Sequence, residues 1–405
     1  MHQQPAFGRR LRTLRTARGL SQAALAGDGM STGYLSRLET GARRPTGHAV
    51  AYLARRLGIR PADFEAPAAG SLTDALTLAA STGSDDAVRA LGAALAAADS
   101  HERPVLRWQA LWTLARARRL HGDHSGERTY LASLVGLGEE TGLAELRVRG
   151  LTRYARCLRS LGDLAPAERA ALTAHRLART AGLGVDDRAL ALLALVSVES
   201  EAGRLPDARA HADELTALLE GRTDALWAQA MWTAAAVRVR QGHHSAARAC
   251  LDQALERFDS AEDLVLWLRL RLAAARLHLD GVPARPKDAR RCAKAAESAL
   301  AFVGTPALRQ ELTALKADLA FRTGHHDQAR RLLAELAGQE PRLTYRDRVR
   351  LDVLRHRLLV LAGDEAGLAG LRALAEQARA DANLDLAAEI WQLVADTLTR
   401  ATAGR

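Results

Sequence analysis

Small polar and arginine side chains recur near the N-terminus at spacings that would place them on one side of a helix. Arg37 lies four residues after Gly33, which is about one helical turn, and Thr32 directly precedes Gly33. An arginine can donate two hydrogen bonds to one guanine, and a threonine can contact a thymine methyl group. Gly33 offers only a close approach of the backbone. These residue types favour recognition of base edges over catalysis.

The surrounding sequence predicts four short helices that would hold these residues. The first runs from Phe7 to Arg18 and ends at Gly19, and Ser21 caps a second helix over Gln22–Ala26. After a glycine turn, Ser31 caps a third helix that stops at Gly41. A fourth helix is expected over about 47–57. Two short helices joined by a glycine turn form a helix-turn-helix, whose second helix can enter the major groove.

Residues 7 to 60 resemble the phage-repressor-like (Cro/C1, or XRE) helix-turn-helix family. The motifs that carry this resemblance fall in order: Leu-Ser-Gln, then Tyr-Leu-Ser-Arg-Leu-Glu-x-Gly, then Arg-Pro. The segment between the first two motifs is one residue shorter than the family pattern, which leaves the docking angle open. The resemblance implies that the base-facing positions are Thr32, Gly33 and Arg37, and that the positions near phosphates are Gln22, Ser36, Arg43 and Arg44. It also implies a structural ion pair between Arg15 and Glu39.

Other interpretations of the same arginines remain open. Arg37 could be an ordinary surface charge on a helix, and Arg43 and Arg44 could belong to a solvated loop. The distribution of charge favours nucleic acid, because residues 1–70 hold eleven Arg against four acidic residues, whereas the rest of the chain holds 46 basic and 43 acidic residues. The net charge of +10 by itself could reflect coding bias toward arginine.

Composition restricts the fold class and the compartment. Hydrophobic residues make up 48% of the chain and aromatic residues only 4%, which favours helices over sheets. The three cysteines are too few and too far apart for a disulfide framework or a thiolate metal site. The chain opens without a targeting leader, and its longest apolar run is 189–196. We therefore expect a cytoplasmic protein without a membrane span.

Beyond a Pro- and Gly-containing segment the chain repeats. Glycines recur at intervals of 39 to 43 residues, at positions 83, 122, 162, 203, 242, 281, 324, 363 and 404. Small residues recur at fixed offsets from them, including Ala115, Ala155, Ala167, Ala208, Ala247 and Ala329. This pattern resembles a tetratricopeptide array. The prediction is an all-α protein with a helix-turn-helix domain over 1–66, a linker over 67–71 and a right-handed α-solenoid over 72–405, with about eight hairpins and a terminal helix.

A tetratricopeptide array has a concave face lined by the first helix of each hairpin. The resemblance places the positions thirteen, ten, six and three before each glycine on that face. An acidic partner would be attracted by the arginines among them. A phase error of one position would instead turn the arginines to solvent and the tryptophans into hairpin packing. The candidate ligand-binding residues are Gln109, Trp112, Arg116, Arg119, Arg149, Thr152, Arg156, Arg159, Gln229 and Trp232.

No pattern of residues predicts an enzyme, a cofactor or a metal site. The pairs His243-His244 and His325-His326 fall in equivalent turns of the repeat and lack a third ligand. No Ser/His/Asp arrangement, phosphate-binding glycine loop or carboxylate pair stands out from the charged helix faces.

The combination resembles peptide-sensing transcription regulators of Gram-positive bacteria. It implies a regulator that binds a double-stranded DNA operator and senses a peptide or an acidic small molecule, acting as a homodimer through the repeat domain. In that family, asparagine side chains hold the peptide backbone, whereas this chain has a single Asn, Asn383. Two alternatives remain. One is a DNA-bound scaffold for protein docking without a small ligand, and the other is an adaptor whose helix-turn-helix domain, called the head below, does not bind DNA.

Overall fold

The computed structural model describes residues 4, 6–64, 71–98, 104–281 and 283–403. The secondary structure of these residues is helical, with no strand among them, and the all-α prediction is confirmed. The chain divides into two compact units, Met1–Glu102 and Arg103–Arg405. Most of the predicted linker, and Gly404, lie outside the described residues. Within the described part of the chain, no helix has the length and apolarity needed to cross a membrane.

The first unit begins with the four helices of the helix-turn-helix domain. They are α1 (Ala6–Ala17), α2 (Gln22–Ala26), α3 (Thr32–Glu39) and α4 (Gly47–Leu57), with 3₁₀ turns at Gly27–Gly29 and Pro61–Phe64. Their apolar faces form one core that includes Phe7, Leu11, Leu35, Leu38 and Leu53. Burying these side chains orders helices that are individually too short to be stable in water.

Local signals fix where these helices begin and how closely they pack. The Ser21 and Ser31 side chains accept hydrogen bonds from the backbone N–H groups of Ala24 and Tyr34, as a helix N-cap requires. A Cβ atom at Gly8 would lie 2.3 Å from the carbonyl oxygen of Leu38. Glycine at this position therefore allows α1 to lie directly against the end of α3.

Paired helices make up the rest of the chain, and the first pair, α5 and α6, belongs to the first unit. Seven further pairs and a terminal helix follow in the second unit. Their bounds are α5 Leu72–Thr82, α6 Asp85–Ala97, α7 Pro104–Leu120, α8 His124–Glu140, α9 Ala144–Leu161, α10 Leu164–Thr180, α11 Val185–Glu201, α12 Leu205–Leu218, α13 Ala225–Arg240, α14 His244–Arg257, α15 Leu264–Asp280, α16 Pro286–Val303, α17 Pro306–Arg322, α18 His326–Ala337, α19 Tyr345–Leu361, α20 Glu365–Ala380 and α21 Leu384–Ala403.

The recurrent alanines lie where the two helices of a hairpin approach each other. Ala115, Ala155, Ala167, Ala208 and Ala247 are fully buried, because a larger side chain would hold the helices apart. This confirms the packing role predicted for the small residues.

One repeat departs from the others at its turn. The described turn glycines have positive φ except Gly281, whose φ is −70°. The turn after α15 therefore takes a different path, and the periodicity is interrupted at this unit.

The second unit turns back on itself. Helix α9 contacts α19, and α11 contacts α21, although these helices are far apart in sequence. Arg240 at the end of α13 donates to Asp385 at the start of α21, with Nε and Oδ2 2.8 Å apart. The first helices of hairpins from both ends of this unit therefore share one surface, called the inner face below.

Candidate nucleic-acid interface and ligand site

The predicted base-facing residues lie on the exposed side of α3. Thr32, Gly33 and Arg37 are exposed, whereas Leu35 and Leu38 on the opposite side are fully buried. The Arg37 side chain folds back along the helix, and its Nε donates to the carbonyl oxygen of Gly33 at 3.1 Å. Its remaining N–H groups are available for a base edge, because guanidinium has five donors.

A buried ion pair holds α3 against α1. Arg15 donates through Nε and Nη2 to the two carboxylate oxygens of Glu39, at 2.6 and 3.0 Å. The Gln22 amide also donates to Glu39, at 2.7 Å. Burial acts to raise the pKa of Glu39, but the hydrogen bonds from Arg15 and Gln22 bring it below its ordinary value. The predicted structural role of the Arg15–Glu39 pair is confirmed.

The residues expected near phosphates lie on α2, on α3 and in the segment between α3 and α4. Arg43 and Arg44 are exposed, and Ser36 is half-buried. The Arg43 guanidinium lies 5.1 Å from the centre of the Tyr34 ring, so the aromatic face orients it. Gln22 is held by Glu39, and its second amide N–H remains for a phosphate. Of the four, Arg43 lines the same groove as Arg37.

A groove beside α3 adds residues that the motif did not identify. Its volume is about 470 Å³, and it lies between α3 and the start of α4. Thr46 caps α4 by accepting from the backbone N–H of Ala49, and His48 lies in the first turn. A helix N-terminus with a basic side chain is suited to a phosphate. The groove is lined by Tyr34, Arg37, Arg43, Thr46 and His48, among others.

Four of the predicted ligand residues contribute to the inner face through their charge. Arg119 on α7 and Arg156 and Arg159 on α9 repel one another and Arg269 of α15, which lies far along the chain. Arg116 adds to this repulsion through Arg153. We call Arg119, Arg153, Arg156, Arg159 and Arg269 the arginine cluster.

The arginine cluster is only partly compensated by acidic side chains. Desolvation, followed by repulsion from Arg119, Arg159 and Arg269, lowers the pKa of Arg156 to about 9. Desolvation and neighbouring arginines also lower the pKa of Arg119. Within the described residues neither Arg119 nor Arg156 forms an ion pair, whereas Arg153 pairs with Glu127, Arg159 with Glu201 and Arg269 with Glu311. An anion placed here would relieve repulsion that the chain itself leaves unbalanced.

The inner face near the C-terminal end has the opposite character. Arg350 donates to both carboxylate oxygens of Glu389, at 2.8 and 3.0 Å, and Arg346 donates to the same carboxylate. Although desolvation opposes it, attraction from Arg350 and Arg346 holds the pKa of Glu389 far below its ordinary value. Asp318 pairs in the same way with Arg322. These charged side chains are paired with one another, so they do not need a ligand to balance their charge.

The remaining candidates differ in their surroundings. Arg149 donates to Asp187 at 2.7 Å, and Thr152 is buried with no hydrogen bond to its hydroxyl. Trp112 stacks on Trp108 with ring centres 5.1 Å apart. Trp232 is partly buried against the main core of the second unit. Gln109 is exposed and Gln229 is half-buried.

Sequence reasoning missed part of the arginine cluster. Arg153 and Arg269 were not on the predicted face, yet both contribute to the charge around Arg156. The offsets counted from Gly324 do give Glu311 and Asp318, and Asp318 lines a cavity of about 40 Å³ on the inner face. The same offsets therefore also predict charged inner-face residues in the later repeats.

Comparison with known proteins identifies the two parts. Residues 6–66 match the family model described as a helix-turn-helix domain. No curated protein sequence matches the chain. Over 99% of this chain and 100% of the other, the structure is similar to a Rap protein complexed with competence and sporulation factor, with 9% identity and a TM-score of 0.54. The N-terminal segment is a helix-turn-helix domain, and the helical body has the fold of tetratricopeptide-like repeat proteins.

Two further solved structures are similar at lower scores. The first is PlcR of Bacillus thuringiensis in complex with the peptide PapR7 and DNA, at 15% identity, 76% of this chain, 98% of that chain and a TM-score of 0.42. The second is the apo form of the quorum sensor NprR from B. thuringiensis, at 11% identity, 97% of both chains and a TM-score of 0.44.

Proposed function

We propose that this protein is a DNA-binding transcription regulator whose helical-repeat body responds to an acidic ligand. The observation that carries the proposal is the exposed surface of α3, where Thr32, Gly33 and Arg37 face solvent while the Arg15–Glu39 pair fixes the helix from behind. A recognition helix needs this combination of a rigid base and free polar side chains.

The arginine cluster supports the choice of ligand. Arg119 and Arg156 lie on the inner face without ion pairs among the described residues, and their pKa values are lowered by desolvation and mutual repulsion. A carboxylate-bearing ligand, either an acidic peptide or a small polyacid, would supply the missing negative charge. The Rap protein of similar fold was solved with competence and sporulation factor, which is consistent with ligand binding by such a body.

Operator recognition also requires two heads. One helix-turn-helix reads a few base pairs, so a homodimer on two half-sites is expected. Helix α21 supports a dimer through the body, because Leu384, Trp391 and Leu398 recur every seven residues and remain exposed. Leu386 and Ile390 on its other side are buried against its own repeat array. The helix therefore closes its array and still has an apolar stripe.

The DNA-binding part is tested by selecting duplexes from a random library with the full-length protein. The expected result is an enriched sequence, with log-log salt dependence of about −0.9 for each phosphate contacted. A salt slope near zero would favour the alternative of an adaptor whose head does not bind DNA.

The ligand part is tested separately by thermal unfolding with a glutamate-rich peptide and with citrate. The matched control is a glutamine-rich peptide of equal length. We expect the two acidic probes to raise Tm and the glutamine-rich control to leave it unchanged. The rise should disappear in the double variant Arg119→Gln/Arg156→Gln. Operator binding without any response to acidic probes would favour the DNA-bound protein-docking scaffold.

A further inference from the structure

Two histidines and a glutamate meet between consecutive hairpins, away from both sites described above. His175 lies on α10, and His211 and Glu214 lie three residues apart on α12. Each offers a ligand atom, and these atoms all lie within 4.8 Å of one another. The two imidazole rings stand edge to face, with centres 5.4 Å apart. Both helices are the second members of their hairpins.

His175 is in a state suited to coordination. Its side chain is buried, and its ring nitrogens make no hydrogen bond within the described part of the chain. The imidazole can therefore offer a nitrogen lone pair to a metal ion without breaking an internal hydrogen bond.

His211 is oriented by a carboxylate behind it. Its Nδ1 lies 2.8 Å from Oε2 of Glu199, which is only 1% exposed. A histidine that donates through one nitrogen to a carboxylate presents the other nitrogen to a metal, and the carboxylate increases its basicity. Arg204 lies near the same carboxylate, with Nη2 3.6 Å from Oε1 of Glu199.

We propose that His175, His211 and Glu214 bind a divalent transition-metal ion of the Zn²⁺ class, with Glu199 as the positioning residue for His211. Two imidazole nitrogens and one carboxylate oxygen form a donor set that Zn²⁺ accepts, with water completing the tetrahedron. Bonds of about 2.0–2.1 Å would bring the ligand atoms to about 3.3 Å from one another. His211 and Glu214 are half-exposed, so their side chains can close this distance without moving the helices.

The bound ion would link α10 to α12 and so fasten two consecutive hairpins. Hairpins in a repeat array are stabilised by contacts with their neighbours, and a link at one junction stiffens that part of the array. The inner face includes α9 and α11, the partners of these two helices. Metal binding would therefore stabilise the body at the hairpin that carries Arg156 and Arg159 and at the hairpin that follows it.

The test uses the full-length protein after treatment with a chelator. Zn²⁺ affinity and stoichiometry are measured by competition with a chromophoric chelator, and Co²⁺ provides a ligand-field spectrum of the site. We expect one high-affinity ion per chain and a tetrahedral Co²⁺ spectrum. Zn²⁺ at a hundredfold excess over Kd should raise Tm by about 4 °C for a unit of this size.

Variants distinguish this site from other histidines. His211→Ala and Glu214→Gln change half-exposed residues and should abolish high-affinity binding, while Glu199→Gln should weaken it about 10- to 100-fold. His243→Ala, at an exposed residue of the turn before α14, is the matched control and should bind as the parent does. Because His175→Ala alters a buried residue, its apo circular dichroism is compared with the parent. The proposal would be overturned if the parent protein bound no Zn²⁺ or if His211→Ala still bound it with high affinity. Loss of binding in the turn control alone would also overturn it.

Discussion

Asn383 donates a hydrogen bond through Nδ2 to the backbone oxygen of Gly162, 3.1 Å away, across 221 residues of sequence. Asn383 is the only asparagine in the chain and is almost fully buried. Gly162 has a φ of +92°, and a Cβ atom there would lie 2.7 Å from the Tyr345 ring. The single asparagine therefore joins the two ends of the second unit and is not free to hold a peptide backbone.

Replacing Asn383 with Ala should destabilise this closure. The change removes one buried hydrogen bond, while the carbonyl oxygen of Gly162 still accepts from the backbone N–H of Leu164, so the expected cost is about 0.5–1.5 kcal/mol. Urea unfolding followed by tryptophan fluorescence reports this change, because all six tryptophans lie beyond residue 107. Gln392→Ala, at an exposed position on the same terminal helix, is the control and should stay within about 0.5 kcal/mol of the parent. Equal stability of the two variants would show that the contact is dispensable.

Arg37 and Arg43 should differ in how they affect DNA binding. Arg37→Ala is expected to relax base preference at one operator position, at a cost of about 1–3 kcal/mol. Arg43→Ala should weaken all sequences alike and reduce the salt slope by about 0.9. Binding of both variants to the selected operator and to its single-base substitutions measures the difference. The reverse result would show that the register of the recognition helix is wrong.

Arg156 and Arg350 should respond in opposite directions to loss of charge. Arg156→Gln removes a cation whose pKa is lowered to about 9 by desolvation and like charges, so the free protein should gain on the order of 1 kcal/mol. Arg350→Gln leaves Glu389 with Arg346 in place of its bidentate partner and should cost about 1–3 kcal/mol. Chemical unfolding at pH 7 gives both values.

The Arg156 and Arg350 variants should also differ in how their stability responds to acidic probes. Arg156→Gln should lose stabilisation by acidic probes, whereas Arg350→Gln should keep it, because its charge is already satisfied within the chain. A gain in stability with an unchanged ligand response would place the acidic ligand elsewhere. Equal destabilisation by both changes would show that Arg156 has a compensating partner.

The head should lose stability in acid through Glu39. Hydrogen bonds from Arg15 and Gln22 outweigh burial and place the folded-state pKa of Glu39 below its ordinary value. The unfolded state therefore binds the proton first, and the stabilisation is complete above the unfolded pKa of about 4.3. It is lost as the pH falls through the lowered folded pKa.

Hydrogen exchange of the segment 6–57 measures this loss, after correction for the intrinsic pH dependence of exchange. Glu39→Gln should exchange faster than the parent at pH 7 and show a flatter acid dependence. A parent whose head remains equally protected down to pH 3 would contradict the role of this ion pair.

The head and the repeat pattern were predictable because their signals are local. Ser21 and Ser31 cap helices within three residues, and the alternation of Leu35 and Leu38 with exposed residues fixes the buried side of α3. The recurrent alanines likewise indicate close helix packing, because they are buried at that packing.

The ligand site was less predictable because it depends on how the array turns back. Arg156 and Arg159 follow from the repeat offsets, but Arg269 does not. The offset of thirteen from Gly281 selects Leu268, which is buried, and not Arg269. His175 and His211 are 36 residues apart in sequence, and only the packing of α10 and α12 brings them together.

The last prediction concerns the exposed stripe of α21. Trp391→Glu/Leu398→Glu should yield a monomer if the stripe forms the dimer contact, because two charges would be buried without partners. Deleting the helix is a poorer test, since it also removes Asp385 and Glu389 and leaves Arg240, Arg346 and Arg350 unpaired. Sedimentation at micromolar concentration measures the change. Phe302→Glu, at a side chain that is 81% exposed on α16, is the matched control and should leave the dimer intact.

Dimer loss should also appear in DNA binding. The monomer should lose affinity for a two-half-site operator far more than for non-specific DNA, because only the operator benefits from two connected heads. Non-specific affinity depends on phosphate contacts that each head still makes. A parent protein that sediments as a monomer at micromolar concentration and still protects a palindromic site would contradict the dimer. A dimer that persists in the double variant would place the contact on another surface.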